Sequence, residues 1–383
     1  MGTVVVALDS FKGSLDAATA TAALARGLDR HASRPDVRLC PIADGGEGTL
    51  DVVVTAGFER VPRTVTGPLG DLVRSAYARR AGTAVVEMAD ACGLGRLPGS
   101  PTARTAVCAS SRGLGELVAA ALDDNCNTVV VALGGSCSTD GGAGMLAALG
   151  ARLVDSADRP LPARPDSWTG LASVDTARLH PRLCGPDAAT LVVACDVDNP
   201  LLGPDGAAAV YGPQKGAGRE QVAMLDGALT RWGDALECAV GHEIRHLPGA
   251  GAAGGVGFAL LAMGATMRPG IDLVVELIGL GDRLAGAELV VTGEGRLDEQ
   301  TLHGKGPAGI AAIARALGVP VVAACGHTTL DRDRLRAAGF SAAYALTDAE
   351  PDVARCVQDA ARLLEELGER IAGSALRPQP IAG

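Results

Sequence analysis

Five loops of this 383-residue chain carry carboxylates, and four of them also carry hydroxyls and glycines. In chain order they are Asp9–Ser14, Ala43–Thr49, Gly134–Gly142, Asp196–Pro200 and Thr292–Asp298. Each follows a short apolar segment that is typical of a β-strand. Because open parallel sheets bind ligands at the carboxyl ends of their strands, we expect these loops to form a polar site for an anion and a metal ion.

The lysines point to the same chemistry. The chain has only three, Lys12, Lys215 and Lys305, and each is followed directly by glycine. A lysine ammonium is a compact positive charge suited to phosphate, and a neighbouring glycine lets the backbone approach the anion. The three Lys-Gly pairs therefore favour a phosphate ligand.

The loop Gly134–Gly142 is the strongest candidate for binding phosphate. It joins a buried strand to a helix predicted from Ala143, so its backbone N–H groups and the start of that helix are expected to face an anion. Gly134 and Gly135 allow a close approach, and Ser136, Ser138 and Thr139 add hydroxyl donors. Asp140 is expected either to cap the helix or to hold a metal ion.

The apolar segments that position these loops are nearly continuous, which is typical of parallel strands buried on both faces. Strands are predicted at 3–8, 37–42, 83–88, 128–133, 190–195, 288–292 and 319–325. Helical patterns lie between and after them, at 16–29, 111–123, 143–151, 219–240, 257–267, 308–317 and 353–371. This alternation predicts an α/β fold with a parallel sheet.

One segment departs from that pattern. Residues 60–88 alternate around Gly67-Pro68-Leu69-Gly70, which predicts an antiparallel hairpin. We therefore predict a Rossmann-like α/β domain, residues 1–64 and 286–373, and an inserted mixed α/β domain, residues 65–285. Residues 374–383 are expected to form a flexible tail.

Composition excludes several other functions. The net charge is −10 and aromatic residues make up 2% of the chain, so neither nucleic acid nor an anionic membrane is an expected partner. No apolar run is long enough to span a membrane, and the ten cysteines have no zinc-type spacing. The chain is expected to be a soluble cytoplasmic protein, as a monomer or a homodimer.

Two known nucleotide-binding motifs, Walker A and G-x-G-x-x-G, can be compared with this sequence. No lysine lies in a Walker A sequence. Gly249, Gly251 and Gly254 match the dinucleotide pattern G-x-G-x-x-G, with Asp272 downstream, but Pro248 precedes them and the preceding segment is a poor strand. A nucleotide-facing or packing role is favoured for these glycines, with a dinucleotide site as the alternative.

At these loops the sequence resembles the type 1 glycerate kinases (glycerate 2-kinases). The matching stretches run in the order of that family over nearly the whole chain: Asp9–Ser14, Pro41–Thr49, Gly134–Gly142, Cys195–Leu202, Tyr211–Gly216, Gly249–Gly257, Gly293–Thr301 and Gly304–Pro307. The resemblance implies ATP and Mg²⁺ as cofactors, D-glycerate as the acceptor and 2-phosphoglycerate as the product. It also implies two α/β domains with the active site in the cleft between them.

Phosphoryl transfer needs positioning and neutralised charge more than covalent chemistry. We expect Lys12 and Lys305 to neutralise charge on the transferred group, and Asp196 to orient or deprotonate the acceptor hydroxyl. Arg296 is the candidate for binding the substrate carboxylate. Lys215, Gly293 and Gly295 are assigned to nucleotide or phosphate binding, with Lys215 also a candidate for orienting the Tyr211–Gly218 loop. Asp44, Glu47 and Asp298 are assigned to Mg²⁺, and Asp298 alternatively to holding Arg296.

Two alternatives to a kinase stay open at this point. An NAD(P)-dependent oxidoreductase would use Gly249, Gly251 and Gly254. A non-catalytic regulator that binds sugar acids would keep the substrate pocket without releasing ADP.

Overall fold

The computed structural model describes residues 2–32, 34–299, 301–303 and 306–375. The strands are β1 (Thr3–Leu8), β2 (Asp36–Leu39), β3 (Glu59–Thr66), β4 (Leu72–Arg80), β5 (Thr83–Glu87), β6 (Thr128–Ala132), β7 (Arg152–Val154), β8 (Ser173–Asp175), β9 (Thr190–Ala194), β10 (Thr266–Arg268), β11 (Ala287–Gly293), β12 (Arg296–Leu297), β13 (Val321–Cys325), β14 (His327–Thr328) and β15 (Ala342–Ala345). The helices are α1 (Ala17–Arg30), α2 (Thr49–Thr55), α3 (Met88–Cys92), α4 (Ala103–Cys108), α5 (Arg112–Asp123), α6 (Ala143–Ala148), α7 (Ala207–Tyr211), α8 (Arg219–Val240), α9 (Ala252–Ala262), α10 (Gly270–Ile278), α11 (Leu280–Leu284), α12 (Pro307–Ala316), α13 (Arg332–Ala337), α14 (Val353–Gln358) and α15 (Ala360–Ala375).

The chain divides into two compact units. Unit 1 contains Met1–Asp44, Asp51–Ala56 and Ile271–Gly383, and unit 2 contains Gly45–Leu50 and Gly57–Gly270. The domain boundaries given above, near residues 65 and 286, stay a prediction.

Unit 1 is built on a five-stranded sheet in the order β15-β13-β11-β1-β2, and every neighbouring pair is parallel. Numbered along the chain within this sheet, the order is 2-1-3-4-5, a doubly wound arrangement. On one face α1 packs against α15 so closely that a Cβ on Gly27 would lie 1.9 Å from the carbonyl oxygen of Glu365. The α/β class with a parallel-sheet domain is confirmed.

Unit 2 is built on a six-stranded mixed sheet in the order β10-β9-β6-β5-β4-β3. β5, β6, β9 and β10 are parallel, and β3 and β4 extend the sheet as an antiparallel hairpin. The hairpin turns at the predicted Gly67–Gly70 segment, where Gly70 has a φ of +97°, a conformation that glycine adopts without strain.

The predicted strands are found with shifts of one to three residues at their ends, but three predicted helices end or break early. The predicted helix 257–267 ends at Ala262, because Gly264 has a φ of +79° and the chain then forms β10. The predicted helix 353–371 is two helices, α14 and α15, separated at Asp359. The predicted helix 143–151 ends at Ala148, just before Gly150 with a φ of +108°.

Two further predictions concern the membrane and the C-terminal tail. Among the described helices, none combines the length and the apolar character needed to cross a bilayer. The expected tail begins at Ser374, but α15 continues to Ala375, and residues 376–383 lie outside the described part of the chain.

Candidate active site

In unit 2, the loop Gly134–Gly142 follows β6 and holds two buried hydroxyls that have no hydrogen-bond partner. They are Ser138 Oγ and Thr139 Oγ1, whose residues are 0% and 1% exposed. Leaving a buried hydroxyl unpaired costs about 1–3 kcal/mol, so such groups in a native structure call for an explanation. Two adjacent unpaired donors in the loop predicted for phosphate are the arrangement that an oxyanion ligand would satisfy.

Lys215 supports this loop through two hydrogen bonds. It is 1% exposed, and its Nζ donates to Ser136 Oγ at 2.9 Å and to the carbonyl oxygen of Ser138. Burial lowers the pKa of Lys215 to about 8, while Cys137 and Asp140 nearby oppose that decrease. The sequence left open whether Lys215 orients its own loop, and the structure shows that its ammonium organises the loop after β6.

We expect Lys215→Met to raise the KM for ATP about tenfold, equivalent to about 1.4 kcal/mol. Methionine keeps the length of the side chain but removes the donor to Ser136 and Ser138, so the loop loses its support. Steady-state kinetics at pH 7 would measure the change. The matched control is Gln214→Met in the same turn, where the side chain is exposed. Equal KM values for the two variants would contradict the supporting role of Lys215.

Asp140 is the helix cap rather than a metal ligand. Its carboxylate is fully buried and accepts hydrogen bonds from the backbone N–H groups of Gly142 and Gly144, both at 3.2 Å. It also accepts from Ser111 N at 2.7 Å and Ser111 Oγ at 2.9 Å. The expectation that the start of α6 faces an anion is therefore wrong, because Asp140 already occupies those amides.

The segment Gly45–Leu50 packs directly on the loop after β6. A Cβ on Gly134 would lie 2.4 Å from Gly46 Cα, and a Cβ on Gly135 would lie 3.9 Å from Glu47 Cβ. The exposed Glu47 is thus beside the loop predicted for phosphate. Glu47 therefore lies beside Gly135, another predicted site residue, and its assignment to Mg²⁺ stays a prediction.

Glu87, at the end of β5, fixes this segment and was not identified from the sequence. It is 4% exposed and accepts from Gly48 N at 3.1 Å and Leu50 N at 2.8 Å. Both bonds join residues of unit 2. The only available signal was a carboxylate ending an apolar strand, which by itself does not distinguish a positioning residue from a surface one.

Asp196 lies two residues beyond β9, on the same edge of the mixed sheet. Its Oδ1 accepts from Gly270 N at 2.8 Å. A Cβ on Gly45 would lie 2.8 Å from Ala194 Cβ and 3.1 Å from Gly270 Cα. Unit 2 therefore brings together Glu47, Gly134, Gly135 and Asp196, as expected from loops that follow neighbouring parallel strands.

The glycines of the G-x-G-x-x-G match serve packing. They follow turns rather than a strand, and Gly141 N donates to Gly254 O at 2.9 Å. A Cβ on Gly254, where φ is +70°, would lie 2.1 Å from Ser138 O. This segment approaches the loop after β6 backbone to backbone, and the dinucleotide alternative gains no support.

Unit 1 places a second group of charged residues where β1 and β11 end. Asp9 N donates to Gly293 O at 2.8 Å, which sets Asp9 beside Glu294 on adjacent parallel strands. Burial, with the charges of Asp44 and Glu294, raises the pKa of Asp9 to about 7, whereas Ser10 N and Lys12 oppose the increase. The sequence placed Asp9 in a candidate loop but gave it no role.

Glu294 is the other unassigned carboxylate of this group. Burial raises its pKa, and Asp44 and Asp298 add to the increase. A hydrogen bond from Thr301 Oγ1 at 2.7 Å and the charge of Lys12 act in the opposite direction. Carboxylates whose pKa values are raised by one another mark a concentration of negative charge that a cation would relieve.

The structure describes two of the three cationic residues that the sequence predicts for the site in unit 1. Lys12 is exposed and lies near Asp9 and Glu294. Arg296 pairs through Nε with Asp298 at 3.1 Å, a contact consistent with the alternative in which Asp298 holds Arg296. Lys305 lies outside the described residues.

The two glycines predicted for phosphate in unit 1 lie at close backbone approaches. A Cβ on Gly293 would lie 1.6 Å from Ala324 O in the neighbouring strand. A Cβ on Gly295 would lie 3.3 Å from Phe11 Cα. Gly293 is thus required by strand packing, whatever it contributes to a ligand.

We expect Asp9→Asn to change how the stability of the protein depends on pH. The pKa of Asp9 is about 7 in the folded protein, whereas the ordinary pKa of an aspartate carboxyl is 3.8. Between these values the folded state binds more protons than the unfolded chain, so the free energy of unfolding decreases as pH rises from about 4 to about 7. Asparagine carries no charge, so the variant should be more stable than the wild type at pH 8, by about 1–3 kcal/mol, and gain nothing at pH 4.

Urea unfolding at pH 4, 6 and 8 in EDTA would measure this difference. The control is Asp29→Asn, an exposed carboxylate of the same unit, which should follow the wild type at every pH. Parallel curves for wild type and Asp9→Asn would contradict the raised pKa.

Comparison with known proteins gives independent evidence on the family of this chain. The family model described as "Glycerate kinase family" matches residues 4–376. The chain belongs to the glycerate kinase family. It is 40% identical to the glycerate kinase of Bacillus subtilis (strain 168) over 97% of both chains. It is 38% identical to the glycerate 2-kinase of Escherichia coli (strain K12) over 90% of both chains.

A solved structure extends this family likeness to the fold. The putative glycerate kinase 2 from Salmonella typhimurium LT2 superposes with a TM-score of 0.82, at 37% sequence identity and with 98% of both chains covered. The resemblance stated from the loops is confirmed, and with it membership of a kinase family. Among the described residues, no group of three or more His, Cys, Asp or Glu side chains is arranged to hold a metal ion.

Proposed function

We propose that this protein transfers the γ-phosphoryl group of ATP to the 2-hydroxyl of D-glycerate. Membership of the glycerate kinase family supports the reaction class. The observation that carries the proposal is the loop after β6, where the unpaired buried hydroxyls of Ser138 and Thr139 lie beside a buried lysine. Such a loop would supply hydroxyl donors for phosphate oxygens once these side chains become accessible to the ligand.

On the donor side, Gly134, Gly135, Ser136, Ser138 and Thr139 bind phosphate oxygens. Lys215 acts through this loop by holding Ser136 and Ser138. Because its ammonium is buried and engaged, it stabilises the phosphates by position and by its field rather than by a direct contact.

On the acceptor side, Asp196 orients the 2-hydroxyl of glycerate and accepts its proton. One carboxylate oxygen is held by Gly270 N, which fixes the orientation of the other. Arg296, 69% exposed, binds the glycerate carboxylate, since a guanidinium matches a carboxylate with two parallel hydrogen bonds. Lys12 and Lys305 neutralise the charge that spreads over the transferred group.

Within unit 1, Asp44 and Asp298, which both act on Glu294, are proposed to hold Mg²⁺. Glu47 belongs to unit 2, and its assignment to Mg²⁺ stays a sequence prediction. Carboxylate oxygens are the protein ligands that Mg²⁺ prefers, with water and phosphate oxygens completing its shell. Bound there, the ion neutralises phosphate charge. Burial raises the pKa values of Asp9 and Glu294, and the charge of Asp44 adds to both increases, so a cation near Asp44 would fit this group.

A coupled ADP-release assay with a panel of small hydroxy acids tests this function. We expect ADP formation with D-glycerate, and its loss when Mg²⁺ is replaced by EDTA. Enolase then distinguishes the products, because it dehydrates 2-phosphoglycerate and not the 3-phosphate. Absence of ADP release with every acid would contradict the proposal, and a change of NADH fluorescence on mixing would favour the oxidoreductase.

A further inference from the structure

A cavity of about 210 Å³ lies within unit 1, at the ends of β1, β11 and β13. Phe11, Gly295 and Gly326 line it from the segments that follow these strands. In the 2-1-3-4-5 order of this sheet, the direction of winding reverses between β1 and β11. Open α/β sheets bind their ligands at this switch point, beyond the carboxyl ends of the strands. The cavity is therefore where the topology alone predicts a ligand.

The cavity has an apolar wall in which two buried core residues, Leu346 and Ala360, adjoin two exposed valines. Leu346, Val353, Val357 and Ala360 line it from the segments after β15. Val353 and Val357 are 58% and 43% exposed, among the large apolar side chains most open to solvent in the described residues. Two valines one helical turn apart, both exposed and both facing a cavity, favour a ligand with an apolar face.

The same cavity is lined by two cations. They are Lys12 and Arg296, of which Arg296 also pairs with Asp298. The other polar lining residues include Ser10, Ser14, Glu294, His327 and Thr347. Its ligand is thus expected to combine an apolar face with a negative charge. Glycerate supplies a carboxylate and two hydroxyls but no apolar surface, whereas a nucleotide supplies a planar base joined to phosphates.

We propose that this cavity binds the adenosine part of ATP, with the base against Leu346, Val353 and Val357 and the phosphates on the side of Lys12. The cavity is smaller than the pockets that enclose a whole drug-sized ligand, which start near 300 Å³, so it holds the nucleoside while the phosphates extend outside it. This inference rests on the proposed function, and it adds which unit selects the phosphoryl donor.

The test replaces an exposed residue of the cavity wall with a larger side chain that fills the cavity. Val357→Trp places an indole where the base would lie. The substituted position in α14 is already exposed, so the larger side chain should not disturb the core. Leu317→Trp is the matched control, because Leu317 is also an exposed apolar residue of unit 1, at 53%, and does not line the cavity. Both variants would be compared with the wild type by steady-state kinetics and by calorimetric titration with MgADP.

We expect Val357→Trp to raise the KM for ATP at least tenfold and to weaken MgADP binding by the same factor. The KM for glycerate should change less than twofold, and Leu317→Trp should match the wild type. An increase in the KM for glycerate alone would assign the cavity to the acceptor, and unchanged kinetics would leave it unused; either result overturns the inference.

A replacement variant and a binding measurement that does not depend on activity complete the test. If Val357→Trp does not fold, Val353→Glu replaces it, because a carboxylate in the wall proposed for the base would place an unpaired charge against an apolar ring and should weaken MgADP binding. If the wild type releases no ADP with any hydroxy acid, the proposed function fails, and MgADP titration of the same variants still decides whether a nucleotide occupies the cavity.

Discussion

Lys12→Met is expected to lower kcat with ATP and glycerate by about 10²–10³-fold, since removing one fixed positive group from a developing charge costs that much in other enzymes. Lys12 follows β1 directly and is exposed, so its loss should leave the fold intact. Its charge also lowers the pKa values of Asp9 and Glu294, which shows that it acts on the same group of carboxylates. Coupled ADP release at saturating substrate would measure the change.

The control for this variant removes a positive charge elsewhere in unit 1. Arg332→Met suits the purpose, because Arg332 is exposed at the start of α13. It should retain wild-type kcat. A Lys12→Met enzyme within threefold of the wild type would remove Lys12 from the catalytic group.

Asp196→Asn is expected to lower kcat by about 10²–10⁴-fold, the usual contribution of general acid–base catalysis. Asparagine can keep the acceptor for Gly270 N through its amide oxygen, so the loop after β9 should retain its conformation. What it loses is the charged oxygen that would accept the proton of the glycerate hydroxyl. The KM for ATP should change little, because the defect lies in the chemical step.

Asp198→Asn is the matched control, two residues along the same loop and exposed. It should have wild-type kcat at every pH from 6 to 9. If both variants lose activity equally, the effect comes from the net charge of the loop, and Asp196 has no special part in the reaction.

The strands and their loops were predictable because burial on both faces leaves a strong signal. Thr128–Ala132 is apolar at every position after the first, so the strand is recognisable, and the polar run that begins at Gly134 marks its carboxyl end. Parallel pairing then brings such loops to one edge of a sheet. For the same reason Glu47, Gly135 and Asp196 were identified although they are far apart in the chain.

Functions that depend on burial were not predictable from the sequence. The raised pKa of Asp9 depends on Asp44 and Glu294, which are distant in sequence, and on the loss of solvent around the side chain. Glu87 resembles any polar residue at the end of a strand until its bonds to Gly48 and Leu50 are seen. A glycine motif is equally ambiguous, since Gly254 makes room for a backbone carbonyl rather than for a dinucleotide.

The parallel pairing of β1 with β11 has a consequence for synthesis on the ribosome. β1 and β2 are translated before the other strands of unit 1, and β1 lacks its neighbour on the other side until Ala287–Gly293 has been translated. At 5–20 residues per second that interval lasts on the order of tens of seconds. Meanwhile Gly57–Gly270 supplies almost all of unit 2 and can complete its own sheet. The nascent N-terminal segment, with its row of unpaired valines, is therefore the part of the chain with the greatest need of chaperones.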